Sequence, residues 1–322
     1  MQTFAIGSDD EFNAVCLNIF HHQATHCKVY KAYISNLGID LSLINTIDQI
    51  PYLPIGFFKT QEVLSDTAKP EIIFSSSGTT GMTQSKHIVT DVSIYEDSFK
   101  KAFKLFYGDI EKTCLLALLP SYLERDGSSL IYMIDALISD SKNPDSGYFL
   151  RNHDELLAIL KRQKAKKQKT ILVGVTYALL DFLENHQIDF PELIVMETGG
   201  MKGKRKEMVR EELHQIITSG FGVKSIHSEY GMTELLSQAY SEGDGIFKCP
   251  PWMKIKLRDT NDPLSLIKEN KTGGINVIDL ANINSCSFIA TQDLGRLMRN
   301  GTFEVLGRFD NSDIRGCNLL IE

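Results

Sequence analysis

The sequence predicts an α/β protein in which a parallel sheet is covered by helices and followed by a small β-subdomain. Residues 113–119 form an unbroken apolar run ended by Pro120, the pattern of a strand buried on both faces. From there to residue 218, strand-like and helix-like segments alternate across short polar turns, as parallel sheets require. From Cys249 onward the pattern changes to short alternating strands separated by turns. The expected division is therefore a part spanning 1–248 that binds small molecules and a β-subdomain spanning 249–322.

In chain order, Phe12, Val15, Cys16, Ile19 and Phe20 recur at helical spacing behind Ser8, a capping residue, and predict helix over 9–37. His22 and His26 stand one turn apart there. With no local carboxylate to complete a ligand set, they read as helix surface. Pro51 and Pro54 exclude a regular helix over 50–60 and predict an extended segment lying on the core. Short strands at 72–74 and 87–89 precede an amphipathic helix over 91–107. A polar turn at 120–127 leads to a helix through Ile138. The next helix, 153–164, ends in a basic run of Lys161, Arg162, Lys164, Lys166, Lys167 and Lys169. This reads as a solvated helix end favourable to the dipole, or as a dock for an acidic partner. Strands at 170–175 and 193–196 alternate with helices at 177–186 and 204–218. The last part reads as strands at 255–257, 275–279, 287–291 and 302–306, with turns at 272–274 and 299–301. Ligands of parallel sheets bind at the carboxyl ends of the strands. The loops at Ser75, Pro120, Thr198 and Glu229 are therefore expected to converge on one crevice.

The 322 residues suffice for a sizeable core, and 43% hydrophobic with 23% charged residues is the balance of an ordinary globular protein. A net charge of −7 argues against non-specific nucleic-acid binding. Six cysteines without a C-x-x-C pair read as reduced thiols rather than a zinc site or disulfide framework. The first ten residues lack the basic and apolar regions of an export signal, and no apolar run approaches the length of a membrane span. A cytoplasmic location is expected.

Three stretches carry chemistry. Ser75, Ser76, Ser77, Gly78, Thr79, Thr80 and Gly81 form a hydroxyl- and glycine-rich loop closed by Lys86, suited to cradle phosphates with backbone N–H groups and a point charge. The glycine spacing excludes a Walker A loop, and an ordinary surface turn remains open at this level. In Tyr230-Gly231-Met232-Thr233-Glu234, the tyrosine offers a flat face for a base, Thr233 a hydroxyl for a phosphate and Glu234 a carboxylate for Mg²⁺. Asp293-Leu294-Gly295-Arg296, followed by Gly307-Arg308-Phe309-Asp310, supplies an acceptor for ribose hydroxyls and an arginine for phosphate or ribose.

The order S-S-G-T-T-G, T-G-G, Y-G-M-T-E, D-L-G-R and G-R-x-D resembles the adenylate-forming superfamily of acyl- and aryl-CoA ligases. The stretches I-P-Y-L-P-I-G-F-F-K-T, L-P-S-Y-L-E-R and I-R-G-C-N-L-L resemble in particular the acyl-protein synthetases of bacterial fatty-acid reductase systems. The resemblance implies ATP-dependent activation of a carboxylic acid, a fatty acid in that subfamily, as acyl-AMP, with ATP and Mg²⁺ as cofactors. Residues 75–86 would hold the β- and γ-phosphates. Thr198, Gly199 and Gly200 would line the adenine pocket, with Tyr230 stacked on the base. Thr233 would bind the α-phosphate, Glu234 the metal, and Asp293 with Arg308 the ribose. His227 is placed by the motif near the acyl carboxylate, or is a structural strand-end histidine.

Full-length members of the superfamily continue past G-R-x-D into a small domain that supplies a lysine. Here twelve residues follow Asp310, so the expectation is a chain without that domain. The subfamily passes its acyl group to a cysteine near the C-terminus, which points to Cys317. The partners implied are an acyl carrier, acyltransferase or reductase protein. Two alternatives stay open: a CoA or carrier-protein ligase served by a separate small domain, and a nucleotide-binding scaffold without catalysis.

Overall fold

The structure is a computed structural model and describes residues 2–76, 83–120, 127–199, 208–268 and 270–309. The chain opens with α1 (Asp9–His26), capped where Glu11 N donates to Ser8 Oγ at 3.2 Å, and α2 (Lys28–Asn36). The single helix expected over 9–37 is thus two. Cys27 adopts extended dihedrals between them, which turns α2 so that Tyr30 and Ile34 are buried. The next segment contains β1 (Leu53–Pro54), paired parallel with a distant strand. Contrary to the extended reading, it closes with one helical turn, α3 (Phe57–Thr60). Both prolines precede that turn, so neither obstructs it.

A two-stranded hairpin, β2 (Ile72–Ser75) and β3 (Lys86–Val89), stands apart from the main sheet. Then come α4 (Val92–Tyr107), β4 (Cys114–Leu118), α5 (Ser129–Ser141), β5 (Gly147–Tyr148), α6 (His153–Lys166), β6 (Thr170–Gly174), α7 (Thr176–Leu183), β7 (Ile194–Glu197) and α8 (Arg210–Phe221). The last part is all strand: β8 (His227–Tyr230), β9 (Ala239–Ser241), β10 (Ile246–Lys248), β11 (Met253–Arg258), β12 (Thr272–Asp279), β13 (Phe288–Leu297) and β14 (Phe303–Arg308).

Among the described residues these strands form one continuous sheet ordered β5-β4-β6-β7-β8-β9-β10-β14-β13-β12-β11, with β1 added beside β13. From β5 to β8 the pairs are parallel; from β8 to β11 they are antiparallel. The alternation along β4 explains its unbroken apolar sequence. Leu115 and Ala117 enter a core with α4 and α5, while Cys114, Leu116 and Leu118 enter a second core with α6, α7 and α8.

Two expectations about the later strands are corrected. Residues 272–274, read as a turn, begin β12 and pair with β13. Their glycines serve close approach rather than turning, because a Cβ on Gly274 would overlap the guanidinium of Arg258. Glu229, expected in a loop, lies within β8 directly opposite Tyr240 of β9.

The first core also joins the N-terminal helices to the antiparallel strands. Phe288 on β13 stacks on Tyr30 with ring centroids 6.1 Å apart and meets Phe20 edge-on at 5.9 Å. Gln23 donates to the carbonyls of Asn282 and Ile283 and accepts from Ser287 N, so a buried amide is fully employed at this junction. Phe288→Ala should therefore cost about 3–5 kcal/mol, read as a lowered urea midpoint with the m-value preserved.

Candidate active site

One crevice of about 580 Å³ collects the predicted motifs. Its walls come from the hairpin (Ser75, Ser76, Thr83, Ser85), the carboxyl ends of β6 and β7 (Val175, Thr198), and β8 with the turn after it (Glu229 and residues 231–234). The start of α5 and β13–β14 (Asp293, Arg308) complete it. Ser75, Thr198 and Glu229 thus converge on one crevice as expected, Ser75 and Glu229 from strands rather than loops. The turn expected after Pro120 falls at 121–126, outside the described residues. Ser77, Gly78, Thr79, Thr80, Gly81, Gly200 and Cys317 also lie outside them.

The hairpin is tied to the turn before α5 and across its own two arms. Ser75 N donates to Gly127 O at 2.7 Å, and Ser85 N donates to Ser76 Oγ at 2.9 Å. His87 Nδ1 lies 2.9 Å from Thr233 O, and a carbonyl can only accept, so the proton sits on Nδ1. Burial pushes the His87 pKa down to about 4, so the ring is neutral when it makes this bond. His87 therefore ties the hairpin to the Tyr-Gly-Met-Thr-Glu turn. Sequence reasoning had no signal for it beyond a histidine in a strand.

Lys86 begins β3 opposite Ser75 and is exposed, but the crevice wall does not include it. The lysine on the wall is Lys59 of α3, whose charge acts on Glu234. Only the tertiary packing of α3 reveals Lys59 as a site residue.

One end of the crevice is built on β8 and β13. Tyr230 is buried, edge-to-face with Phe247 and Phe303, and its hydroxyl donates to Asp293 Oδ2 at 2.9 Å. It contributes to the site chiefly through that bond, since little of its ring is left as the open platform expected. Burial raises the Asp293 pKa, opposed by the Tyr230 bond and by the charges of Arg308 and Arg258. Arg308 Nε lies 3.3 Å from Asp293 Oδ1, but the arginine side chain is 68% exposed, so the pair is loosely held and free to turn toward a ligand. Gly199 has φ +72°, a conformation that favours glycine, and its N–H donates to Glu197 Oε2 at 2.8 Å. Thr198 N donates to Gly174 O at 3.1 Å, which keeps this turn against β6.

Thr233 and Glu234 face the hairpin hydroxyls across the crevice. Glu234 is buried. Burial raises its pKa, while the Ser85 hydroxyl and the charges of Arg308 and Lys59 pull the other way. Among the described residues no cluster of three His, Cys, Asp or Glu side chains could hold a metal unaided. A buried carboxylate beside a threonine hydroxyl nevertheless fits one protein contact to a hard cation whose other ligands are phosphate oxygens and water.

Gly231 leaves room for its neighbour: a Cβ there would overlap Glu229 Oε1, so that carboxyl would have to shift. Burial, then the neighbouring Glu197, pushes the Glu229 pKa up to about 8. His227, a candidate for the acyl carboxylate, points elsewhere; its Nδ1 lies 3.4 Å from the Tyr107 hydroxyl, and it does not line the crevice.

The family described as acyl-protein synthetase, LuxE, matches residues 7–322. The long-chain-fatty-acid–luciferin-component ligase of Aliivibrio fischeri is 23% identical over 93% of this chain and 84% of its own. A 2-hydroxyisobutyryl-CoA ligase, solved in an open conformation with 2-HIB-AMP and CoA, superposes with a TM-score of 0.71 at 11% identity, covering 94% of this chain and 75% of that one. ATP-bound MatB from Rhodopseudomonas palustris gives 0.56 at 16% identity over 76% of this chain and 49% of its own. At these identities the structural likeness is one of fold. Among the described residues no helix is long and apolar enough to cross a membrane.

Two outcomes follow from this geometry. Tyr230→Phe should leave Asp293 Oδ2 without its donor and cost about 1–3 kcal/mol of stability, measurable by chemical denaturation. Glu229 has a folded pKa of about 8 against 4.5 unfolded, so the folded state holds a proton that the unfolded state releases. Stability from this group therefore falls as pH rises from 4.5 to about 8 and is level above. The melting temperature of Glu229→Gln minus that of wild type should grow across this window; a flat difference would contradict it.

Proposed function

Since the chain belongs to the acyl-protein synthetase (LuxE) family, we propose that its crevice condenses a carboxylic acid with ATP to acyl-AMP and passes the acyl group to a protein thiol. The observation that carries this reading is the single cavity bringing together the hydroxyl hairpin, Thr233 with Glu234, and Asp293 with Arg308. In this reading residues 1–248 bind nucleotide and acid, and the β-subdomain over 249–322 supplies Asp293 and Arg308.

Each part has a task that its environment supports. Asp293, held by Tyr230, accepts the ribose hydroxyls; Thr198 borders the base, with Gly199 and Tyr230 assigned there by motif alone. Residues 75–86 bind the leaving pyrophosphate, with Gly200 and the undescribed loop residues assigned by motif alone. Thr233 donates to the α-phosphate. Glu234 would hold Mg²⁺, which when bound neutralises phosphate charge. The acid carboxylate attacks the α-phosphorus, the bond to the bridging oxygen breaks, and pyrophosphate leaves. The protein positions the reactants and stabilises charge, with Arg308, Lys59 and Lys86 supplying cations.

The cysteines bear on the acceptor. Burial raises the thiol pKa of Cys16 to about 12 and of Cys114 to about 11, and raises those of Cys27, Cys249 and Cys286 as well. None is a ready thiolate nucleophile, which favours Cys317, or a thiol on an acyl carrier, acyltransferase or reductase protein, as the acceptor.

Purified protein with a panel of acids should catalyse ATP–pyrophosphate exchange; a nucleotide-binding scaffold would bind ATP without exchange. Label from radioactive acid should become attached through a hydroxylamine-labile bond and be lost in Cys317→Ser. Label that appears only when CoA or a carrier is added favours the ligase alternative. Asp293→Ala should raise KM for ATP by about tenfold to a hundredfold, the loss of a hydrogen bond to a charged group. Lys86→Ala should lower the exchange rate about tenfold with a smaller change in ATP binding.

A further inference from the structure

The crevice contains a polar pair for which ATP activation has no use. On β8, successive side chains point to opposite faces, so Tyr230 faces Asp293 while Glu229 lies on the other face with Tyr240. Glu229 is therefore turned away from the ribose end. The cavity wall that holds it also includes Tyr95, Leu130, Met133, Val175 and Met232, apolar side chains suited to a carbon chain. Gln238 lines the same space. It is 4% exposed, and its Oε1 is buried with no hydrogen-bond partner. The two side chains meet over Gly231: a Cβ there would overlap Glu229 Oε1 and come within 3.3 Å of Gln238 Cγ. No described residue donates to the Glu229 carboxyl, whereas Glu197 on the adjacent strand is served by Thr176 Oγ1 and Gly199 N.

We propose that Glu229 and Gln238 form a recognition site within the acid pocket, and that the preferred acid carries a neutral hydrogen-bond donor, such as a hydroxyl, on its carbon chain. This rests on the function proposed above. A buried acceptor left unpaired by a plain alkyl chain costs binding, and the same acceptor paired with a hydroxyl does not. Desolvation and the neighbouring Glu197 raise the Glu229 pKa to about 8, which favours its neutral form and so a neutral polar partner over a cation.

The test is ATP–pyrophosphate exchange by the full-length protein with straight-chain acids of several lengths and their singly hydroxylated isomers. At one hydroxyl position or more, kcat/KM should exceed that of the parent acid by about tenfold or more, as sites built to bond a hydroxyl discriminate against its absence. Gln238→Met should move that ratio toward one. If every parent acid reacts at least as well as all its hydroxylated isomers, the inference is overturned while the proposed function stands, and this wild-type result decides even if the variant fails to fold. An unchanged ratio in a folded Gln238→Met protein would also overturn it. Absence of exchange with every acid would overturn the proposed function itself, and this inference with it.

Discussion

Strand β8 pairs parallel with β7 and antiparallel with β9, and this change of direction controls what its side chains reach. On the parallel side the chain arrives from helices; on the antiparallel side it continues into the strands that carry Asp293 and Arg308. Because the pleat has a period of two, Tyr230 and Glu229 diverge to opposite faces. A slip of one residue would exchange them. The proposed nucleoside and acid ends of the crevice are therefore separated by one peptide unit. The buried packing of Tyr230 against Phe247 and Phe303 resists that slip.

Three carboxyl groups share this crevice, Asp293 and Glu234 buried and Glu229 half-buried, and they differ in what surrounds them. Asp293 receives the Tyr230 hydroxyl and two guanidinium fields, which oppose the effect of burial. Glu234 has the Ser85 hydroxyl and more distant cations. Glu229 has only desolvation and a like charge, both raising its pKa. Similar side chains thus suit the different tasks proposed for them: a hydrogen-bond acceptor for ribose, a contact for a cation, and a neutral polar group. The mechanism of differentiation is environment rather than residue type.

Anchoring also explains why a hairpin outside the main sheet can serve the site. Its two strands pair only with each other, yet neutral His87 reaches Thr233 and Ser75 reaches Gly127. These bonds hold the hydroxyl-rich edge opposite Thr233 and Glu234. The hairpin therefore keeps its distance from the turn without belonging to the sheet that carries it.

The sequence by itself determined the periodic elements and the motifs. The apolar run of β4, the Ser8 cap and the glycine-bearing stretches are local patterns, and local physics suffices to read them. Where side chains at distant positions compete for the same space, it did not suffice. The break at Cys27, the helical turn at α3 and the strand conformation of Gly273 and Gly274 follow from packing partners remote in sequence. The same holds within the site. Tyr230 was legible as a site residue but not its bond to Asp293 across 63 positions; His87 and Gln238 carried no motif, and Lys59 stood in a stretch that assigned it no role. Only the tertiary structure decides these, because desolvation and unpaired hydrogen-bonding capacity are properties of an enclosed space.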